Sequence, residues 1–291
     1  MRNKRFRIKK QPWIFFLAPS FFGVCLFVLL PFGDVIRRSF LTAVTEEFNG
    51  IDNYTLIFHN DAFLLAVKNT LFFTSFCIPL LVALGLFIAL PLGRAKHAQF
   101  IKTLYLFPLA MPTATIVIVW KMLFSDRGFL NKGITELLQK LTGSADTFHM
   151  DYLGCSAAFF LLAGTYVWKN LGYTVVLWLA GIMGVSQDIL EAAKVDGAGR
   201  WKSLIYVLLP NLKGSLYTIV VLSVLNSFKI YREAYLVAGS YPHESIYLLQ
   251  HLFNNWYVNL ELDKMAAAAV LTGGFLFIMI LLLQRLWDKD I

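Results

Sequence analysis

Residues 69–92 read NTLFFTSFCIPLLVALGLFIALPL, twenty-four positions without an Asp, Glu, Lys, Arg or His. A helix needs about 20 such residues to cross about 30 Å of hydrocarbon. The same test, carried outward, finds five further runs, at 13–32, 101–123, 157–182, 216–236 and 265–283. The second, third and sixth runs carry no charge in their middles. The fourth contains Lys169 and Asn170; the fifth contains Asn226 and ends toward Lys229. The first follows a basic leader, as a signal peptide does. Its apolar run is too long for such a segment and lacks a clear Ala-x-Ala cleavage site, so it reads as an uncleaved span. An all-α integral membrane fold with six transmembrane helices is expected.

Composition agrees. Hydrophobic residues make up 58% of the chain and charged residues 15%, against about 25% charged in a soluble domain. The net charge is +8, but the basic cluster Arg2, Lys4, Arg5, Arg7, Lys9 and Lys10 borders an apolar run. That arrangement suits an anionic lipid leaflet, and nucleic acid is not an expected partner. Cys25, Cys77 and Cys155 are far apart, and His59, His97, His149, His243 and His251 are scattered. Neither a disulfide framework nor a metal site is indicated.

Short connections orient the spans by their Lys and Arg content. Segments 1–10, 94–102, 184–213 and the tail from Arg285 hold fifteen of the chain's 26 basic residues. The opposite connections, 39–61, 124–156 and 238–264, hold none, three and one. Both termini are therefore expected in the cytoplasm.

The connection 184–213 is long and well patterned. Ser186 is a candidate N-cap, with Gln187 and Asp188 in the first turn, where an acid suits the helix dipole. Helix formers continue to Val195, and Gly197 is the expected stop. A second helix is expected from the apolar stripe Trp201, Leu204, Ile205 and Leu208, disturbed at Pro210. Ala192 and Ala193 permit close approach of a partner, Glu191 offers a carboxylate to a partner Arg, and Asp196 can cap the turn. The residues alone leave two readings open: docking to a partner, or an amphipathic helix resting on lipid.

Glu191-Ala192-Ala193-x-x-Asp196-Gly197-Ala198, followed by Leu209-Pro210 ahead of the penultimate span, resembles the "EAA" loop of binding-protein-dependent ABC importer permeases. Asn69-Thr70, Trp168-Lys169-Asn170-Leu171-Gly172-Tyr173 and Leu225-Asn226-Ser227-Phe228-Lys229 are similar to the carbohydrate branch, the maltose and glycerol-phosphate type permeases. Where many relatives have Gly-Gly-Pro after the fifth span, this chain has Gly239-Ser240-Tyr241-Pro242.

The resemblance implies the type I ABC importer permease architecture, with a cytoplasmic coupling helix between helices 4 and 5. Residues 1–68 would hold the basic N-terminus, first span and outer loop; 69–284 the core permease domain; 285–291 a short tail. It implies a multi-pass protein of the bacterial cytoplasmic membrane, in contact with lipid. Its partners would be a second related permease, two ATPase subunits and an extracytoplasmic solute-binding lipoprotein or periplasmic protein. Glu191 would make an ionic contact with the ATPase, Ala192 and Ala193 would pack closely, and Gly197 would make the turn.

The chain is not expected to be an enzyme or to bind a cofactor. It has no Gly-x-x-x-x-Gly-Lys-[Ser/Thr] motif. The run 197–203 approaches one, but Trp201 stands where glycine is needed. Mg-ATP would be used by the partner.

A charge at mid-bilayer costs about 2.5–3.5 kcal/mol on insertion scales, so such groups face protein or water. Lys169, Asn170, Gly172, Tyr173, Leu225, Asn226 and Lys229 are the candidates for a substrate pathway. Gly172, Leu225, Asn226 and Lys229 carry over from the resemblance as cavity-lining positions. Amides, hydroxyls and aromatic faces suit a neutral polyhydroxylated ligand, and the aromatic content favours a di- or oligosaccharide. A basic Lys169 or Lys229 leaves an anionic ligand, such as a glycerol phosphate or a uronate, open as a second reading. The alternative is hydrogen bonding between helices, or Lys169 reaching an interface. Arg232 and Glu233 are expected to form an outer ion pair or gate. Tyr241-Pro242-His243-Glu244 is either a contact for the binding protein or a solvated turn.

The competing class is an ion-coupled secondary carrier, which needs an acid within a span; none lies in the middle of the clean runs. A membrane enzyme would need clustered nucleophiles, bases or ligands, and none are apparent.

Overall fold

The computed structural model describes residues 12–93, 98–143 and 148–288. The basic cluster at 2–10, together with Arg94, Lys96 and Lys289, lies outside them. The described residues are helical, with no strand beyond a single bridge between Leu41 and Phe48.

In chain order the helices are α1 (Pro12–Val24), α2 (Leu30–Arg38), α3 (Asp52–Phe58), α4 (Asp61–Leu92), α5 (Ala98–Ala110), α6 (Thr113–Phe124) and α7 (Phe129–Thr142). Then come α8 (Ala157–Gly184), α9 (Gln187–Val195), α10 (Arg200–Lys202), α11 (Leu209–Asn211), α12 (Lys213–Ser227), α13 (Tyr231–Ala238), α14 (Leu249–Val258) and α15 (Leu262–Asp288). A π turn, Cys25–Leu29, joins α1 to α2, and a second, Ser203–Leu208, joins α10 to α11.

Four helical runs are long and apolar enough to cross a membrane: Phe16–Arg38, Asp61–Leu92, Lys213–Ala238 and Leu262–Arg285. The number is six if each of two bent pairs counts as one span. One pair is the third run, which the sequence suggested as a single helix over 101–123. It bends by 90° between Ala110 and Thr113. Pro112 is the cause. It sits in an extended conformation, φ −60° and ψ 137°, and a proline also disfavours helix at the residue before it. The first run is longer than the expected 13–32. Asp34 accepts from Arg37 at 3.1 Å and Arg38 at 2.7 Å, and these pairs one turn apart carry the helix to Arg38.

The chain divides into two compact units, residues 1–59 with 256–275, and residues 60–255 with 276–291. In the first, the connection after α2 is ordered by Asn53. Its buried amide donates to Ser39 O at 3.0 Å and Leu41 O at 2.8 Å, and Tyr54 donates to Ser39 Oγ at 2.7 Å.

In the second unit, α8 is the central helix. Toward one end, Leu162, Ala163 and Tyr166 pack with Phe73, Cys77 and Leu81 of α4, Ile116 and Trp120 of α6, and Ala234 of α13. Toward the other, Val175, Trp178 and Leu179 pack with Ala89 and Leu92 of α4, Leu208, Leu212 and Ile219. Lipid is as apolar as these side chains, so close fit and hydrogen bonds between helices select this packing. Trp178 Nε1 donates to Val82 O at 3.1 Å. Gly172 lets α8 lie against the backbone of α5, because a Cβ there would strike the carbonyl of Tyr105.

Candidate functional site

The loop after α8 folds as its residues dictate. Ser186 Oγ accepts from Asp188 N at 3.3 Å, capping α9. At the other end Ala198 N donates to Ala193 O at 2.9 Å and Gly197 N to Lys194 O at 3.1 Å. This pair of bonds is a Schellman cap, and it places Gly197 at φ +78°, a conformation glycine adopts without steric cost. Asp196 occupies the C-cap position.

Glu191 and Ala192 are exposed on α9, with Asp196 and Gly197 beyond them; Ala193 and Ala198 are half-buried. Among the described residues Glu191 forms no ion pair. Apolar residues of α9 and of the segment that follows it are also uncovered: Val195 is 88% exposed, Trp201 76% and Tyr206 75%. Leu209 is half-buried and Pro210 exposed.

The regular second helix expected from Trp201, Leu204, Ile205 and Leu208 is not formed. Leu209 N donates to Leu204 O, the wider π spacing. Pro210 has no N–H to give, so the ladder is already interrupted here. One extra residue in the turn breaks the stripe: Leu208 is buried while Trp201 and Ile205 point outward.

The polar residues of the spans fall into three groups. Lys169 of α8 and Glu233 of α13 form an ion pair, Nζ to Oε1 at 2.5 Å, with Glu233 only 2% exposed. Thr113, at the start of α6, adds a long hydrogen bond to the same oxygen at 3.4 Å. The expected Arg232–Glu233 pair is therefore corrected. Successive residues on a helix point apart by about 100°, so Glu233 turns inward to Lys169 and Arg232 turns out.

The second group joins α8 to α12. Tyr166 donates to Ser223 O at 2.6 Å, Tyr173 Oη and Ser223 Oγ lie 2.8 Å apart, and buried Asn170 donates to Tyr166 O at 2.7 Å. Tyr173 and Gly172 are thus engaged between helices, while Asn170 bonds back within α8. Ser223, Tyr166 and Thr113 escaped the sequence reading, since lone hydroxyls in apolar runs carry no distinguishing pattern. The third group is Leu225, Asn226 and Lys229. Leu225 and Lys229 are exposed, and Lys229 donates to Asn226 Oδ1 at 2.9 Å.

Beyond the fifth span, Asn69 Nδ2 of α4 donates to Glu244 O at 2.5 Å and Tyr247 O at 3.0 Å, and Leu249 N donates to Thr70 Oγ1 at 3.1 Å. His243 Nδ1 accepts from Ser245 N and caps a short 3-10 turn. His251 is fully buried. Its Nδ1 accepts from Leu248 N at 3.1 Å, and its ring packs between Tyr231 and Tyr247 at centroid distances of 4.7 and 5.7 Å. Burial pushes the imidazole down to about 4, so it is neutral at pH 7 with its proton on Nε2. Among the described residues no group of three His, Cys, Asp or Glu side chains is placed to hold a metal.

In the second unit, helices packed on a central α8 and buried polar contacts between spans give a membrane-protein core, with the capped helix α9 exposed beside it. Residues 70–291 match the family of binding-protein-dependent transport system inner membrane components, and the chain belongs to that family. It is accordingly a multi-pass subunit of a transport system in the cytoplasmic membrane, and not an enzyme.

Among curated relatives, the diacetylchitobiose uptake system permease protein NgcF of Streptomyces coelicolor is 32% identical over 280 residues, 87% of this chain and 76% of that protein. The sn-glycerol-3-phosphate transport system permease protein UgpA of Escherichia coli is 26% identical over 96% of this chain and 94% of its own. The structure of a bacterial ABC transporter involved in the import of the acidic polysaccharide alginate matches with a TM-score of 0.77. It is 16% identical and covers 96% of both chains. The fold is that of an ABC importer permease.

Proposed function

We propose that this chain is one permease subunit of an ATP-driven importer for a di- or oligosaccharide delivered by an extracytoplasmic binding protein. The observation that carries this is α9: a capped helix with Glu191, Ala192 and Val195 exposed, followed in the same loop by exposed Trp201 and Tyr206. That combination is costly in water and suits a protein partner. The partner is an ATPase, two copies of which drive this chain and a second, related permease. α9 is the coupling helix, Glu191 its ionic contact, and Ala192 and Ala193 its points of close approach.

In this reading the chain crosses the membrane six times, the bent α5–α6 pair counting as one crossing and α8 crossing by itself with α9 outside the bilayer, and both termini are cytoplasmic. Residues 69–284 form the core permease, 1–68 an added span and outer loop, and 285–291 a tail. Mg-ATP is bound by the partners alone. The sugar assignment is supported by the relatives' names, which include a diacetylchitobiose permease and an arabinooligosaccharide permease. Lys169, Asn170, Gly172 and Tyr173 support the pathway from behind, while Leu225, Asn226 and Lys229 border it.

The test is reconstitution of the chain in liposomes with its partner permease, ATPase and binding protein, followed by uptake of labelled oligosaccharide. Uptake should require ATP on the ATPase side and fail for Glu191→Lys. Uptake driven by an ion gradient without the ATPase would overturn the reading.

A further inference from the structure

The span built from α12, the turn Phe228–Ile230 and α13 leaves one face uncovered. Thr218, Leu222, Leu225, Lys229, Arg232 and Leu236 are all exposed, and their alternating spacing of four and three keeps them in a single row along the helix. Two of the six are cations inside the candidate span Lys213–Ala238. Hydrocarbon is an unsuitable neighbour for such a face, because each charge costs about 2.5–3.5 kcal/mol at the bilayer centre.

No described acid neutralises these charges. Glu233 is adjacent in sequence but is buried and committed to Lys169. Lys229 has only the neutral Asn226 amide oxygen at 2.9 Å. Among the described residues neither Lys229 nor Arg232 forms an ion pair. Among the described residues none supplies this row with a counter-charge.

We infer that this row is a water-filled, positively charged wall of the permeation pathway, and that the transported saccharide carries an anionic group met by Lys229 and Arg232. The inference rests on the importer reading and adds the charge of the cargo to it. Arg232 offers a planar fork that matches a carboxylate, sulfate or phosphate, and Lys229 a point charge one turn away. The ion pair with Glu233 commits Lys169 of α8, so on the α12–α13 row the two charged side chains open to a ligand are Lys229 and Arg232.

The test uses the whole importer in proteoliposomes, with Cys25→Ser, Cys77→Ala and Cys155→Ser as background and Leu225→Cys as reporter. Leu222→Cys is a second reporter on the same row. Each is labelled with an anionic and a cationic methanethiosulfonate of similar size, and the rate ratio is normalised to a small free thiol. An anion preference of about tenfold or more is expected from two focused charges, falling toward one in Lys229→Gln/Arg232→Gln. If neither reagent reacts, the row is sealed by lipid or by the second permease and the inference fails. If the preference is absent, or survives the double substitution, it fails also. Oligogalacturonate should slow the labelling more than a neutral maltooligosaccharide of equal length; equal or absent protection overturns the assignment of the cargo. ATP-dependent uptake is scored separately, so loss of the importer reading is distinguished from loss of the charge assignment.

Discussion

Lys169 on α8 and Glu233 on α13 meet at 2.5 Å although 64 residues separate them in the chain. Both are largely withdrawn from solvent, so each is the other's means of staying charged. Removing one partner of a buried pair costs about 3–5 kcal/mol, since the survivor is left uncompensated. Glu233→Gln and Lys169→Gln should each lower the thermal stability of the purified permease strongly. Lys169→Met/Glu233→Leu should be milder than the sum of its parts. A double-mutant cycle read from denaturation midpoints checks this, and additive single effects would mean that the two side chains do not interact.

Gly172 and Gly164 lie on the same helix with opposite surroundings. A Cβ at Gly172 strikes the Tyr105 carbonyl, whereas one at Gly164 meets nothing within 4 Å. Gly172→Ala should destabilise by about 1–3 kcal/mol, the range for overpacking. Gly164→Ala should be neutral or stabilising, as alanine is the better helix former. Melting of the two variants side by side is sufficient, and equal losses would contradict the close approach of α8 to α5.

Gly197 caps α9 at φ +78°. A side chain in the left-handed region costs about 1–2 kcal/mol, with Asn the best tolerated. If α9 docks to an ATPase, stimulation of ATP hydrolysis by loaded binding protein should fall in the order Gly, Asn, Ala, Pro at position 197. A flat series would separate the cap from coupling.

His251 should make the α14 region sensitive to acid. Its pKa is pushed down to about 4 by burial, below the usual value of about 6.5 for a free imidazole. Between those values the opened segment binds a proton that the closed one refuses. The closed state is therefore fully stable above about pH 6.5 and weakens as pH falls toward 4, by an amount on the order of 3 kcal/mol at the lower limit. Hydrogen exchange of the α14 amides, corrected for intrinsic rates, should report faster opening at pH 5 than at pH 7. In His251→Gln that pH dependence should vanish, whatever the absolute protection.

Much of the architecture was legible because lipid imposes simple rules. The run at 69–92 needed only length and absence of charge, and it lies within one helix, α4. The α9 loop was legible because Ser186 and Gly197 each carry a specific local job, and both perform it. The bend at Pro112 was harder: proline within apolar sequence is common in membrane helices and does not announce an angle. The partner of Glu233 was misread for a different reason. Sequence adjacency favoured Arg232, while the helical turn between neighbouring residues decided for Lys169. The π turn before Pro210 likewise defeated a stripe drawn for regular helix spacing.

The contact at Gly172 also bears on mechanics. With the α8 backbone seated directly on the Tyr105 carbonyl, no layer of flexible side chains lies between the two helices to absorb sliding. α5 and α8 then behave as one strut over that length. The helix axis turns at two places beside this contact: by 90° between Ala110 and Thr113, and by 70° between Gly184 and Gln187.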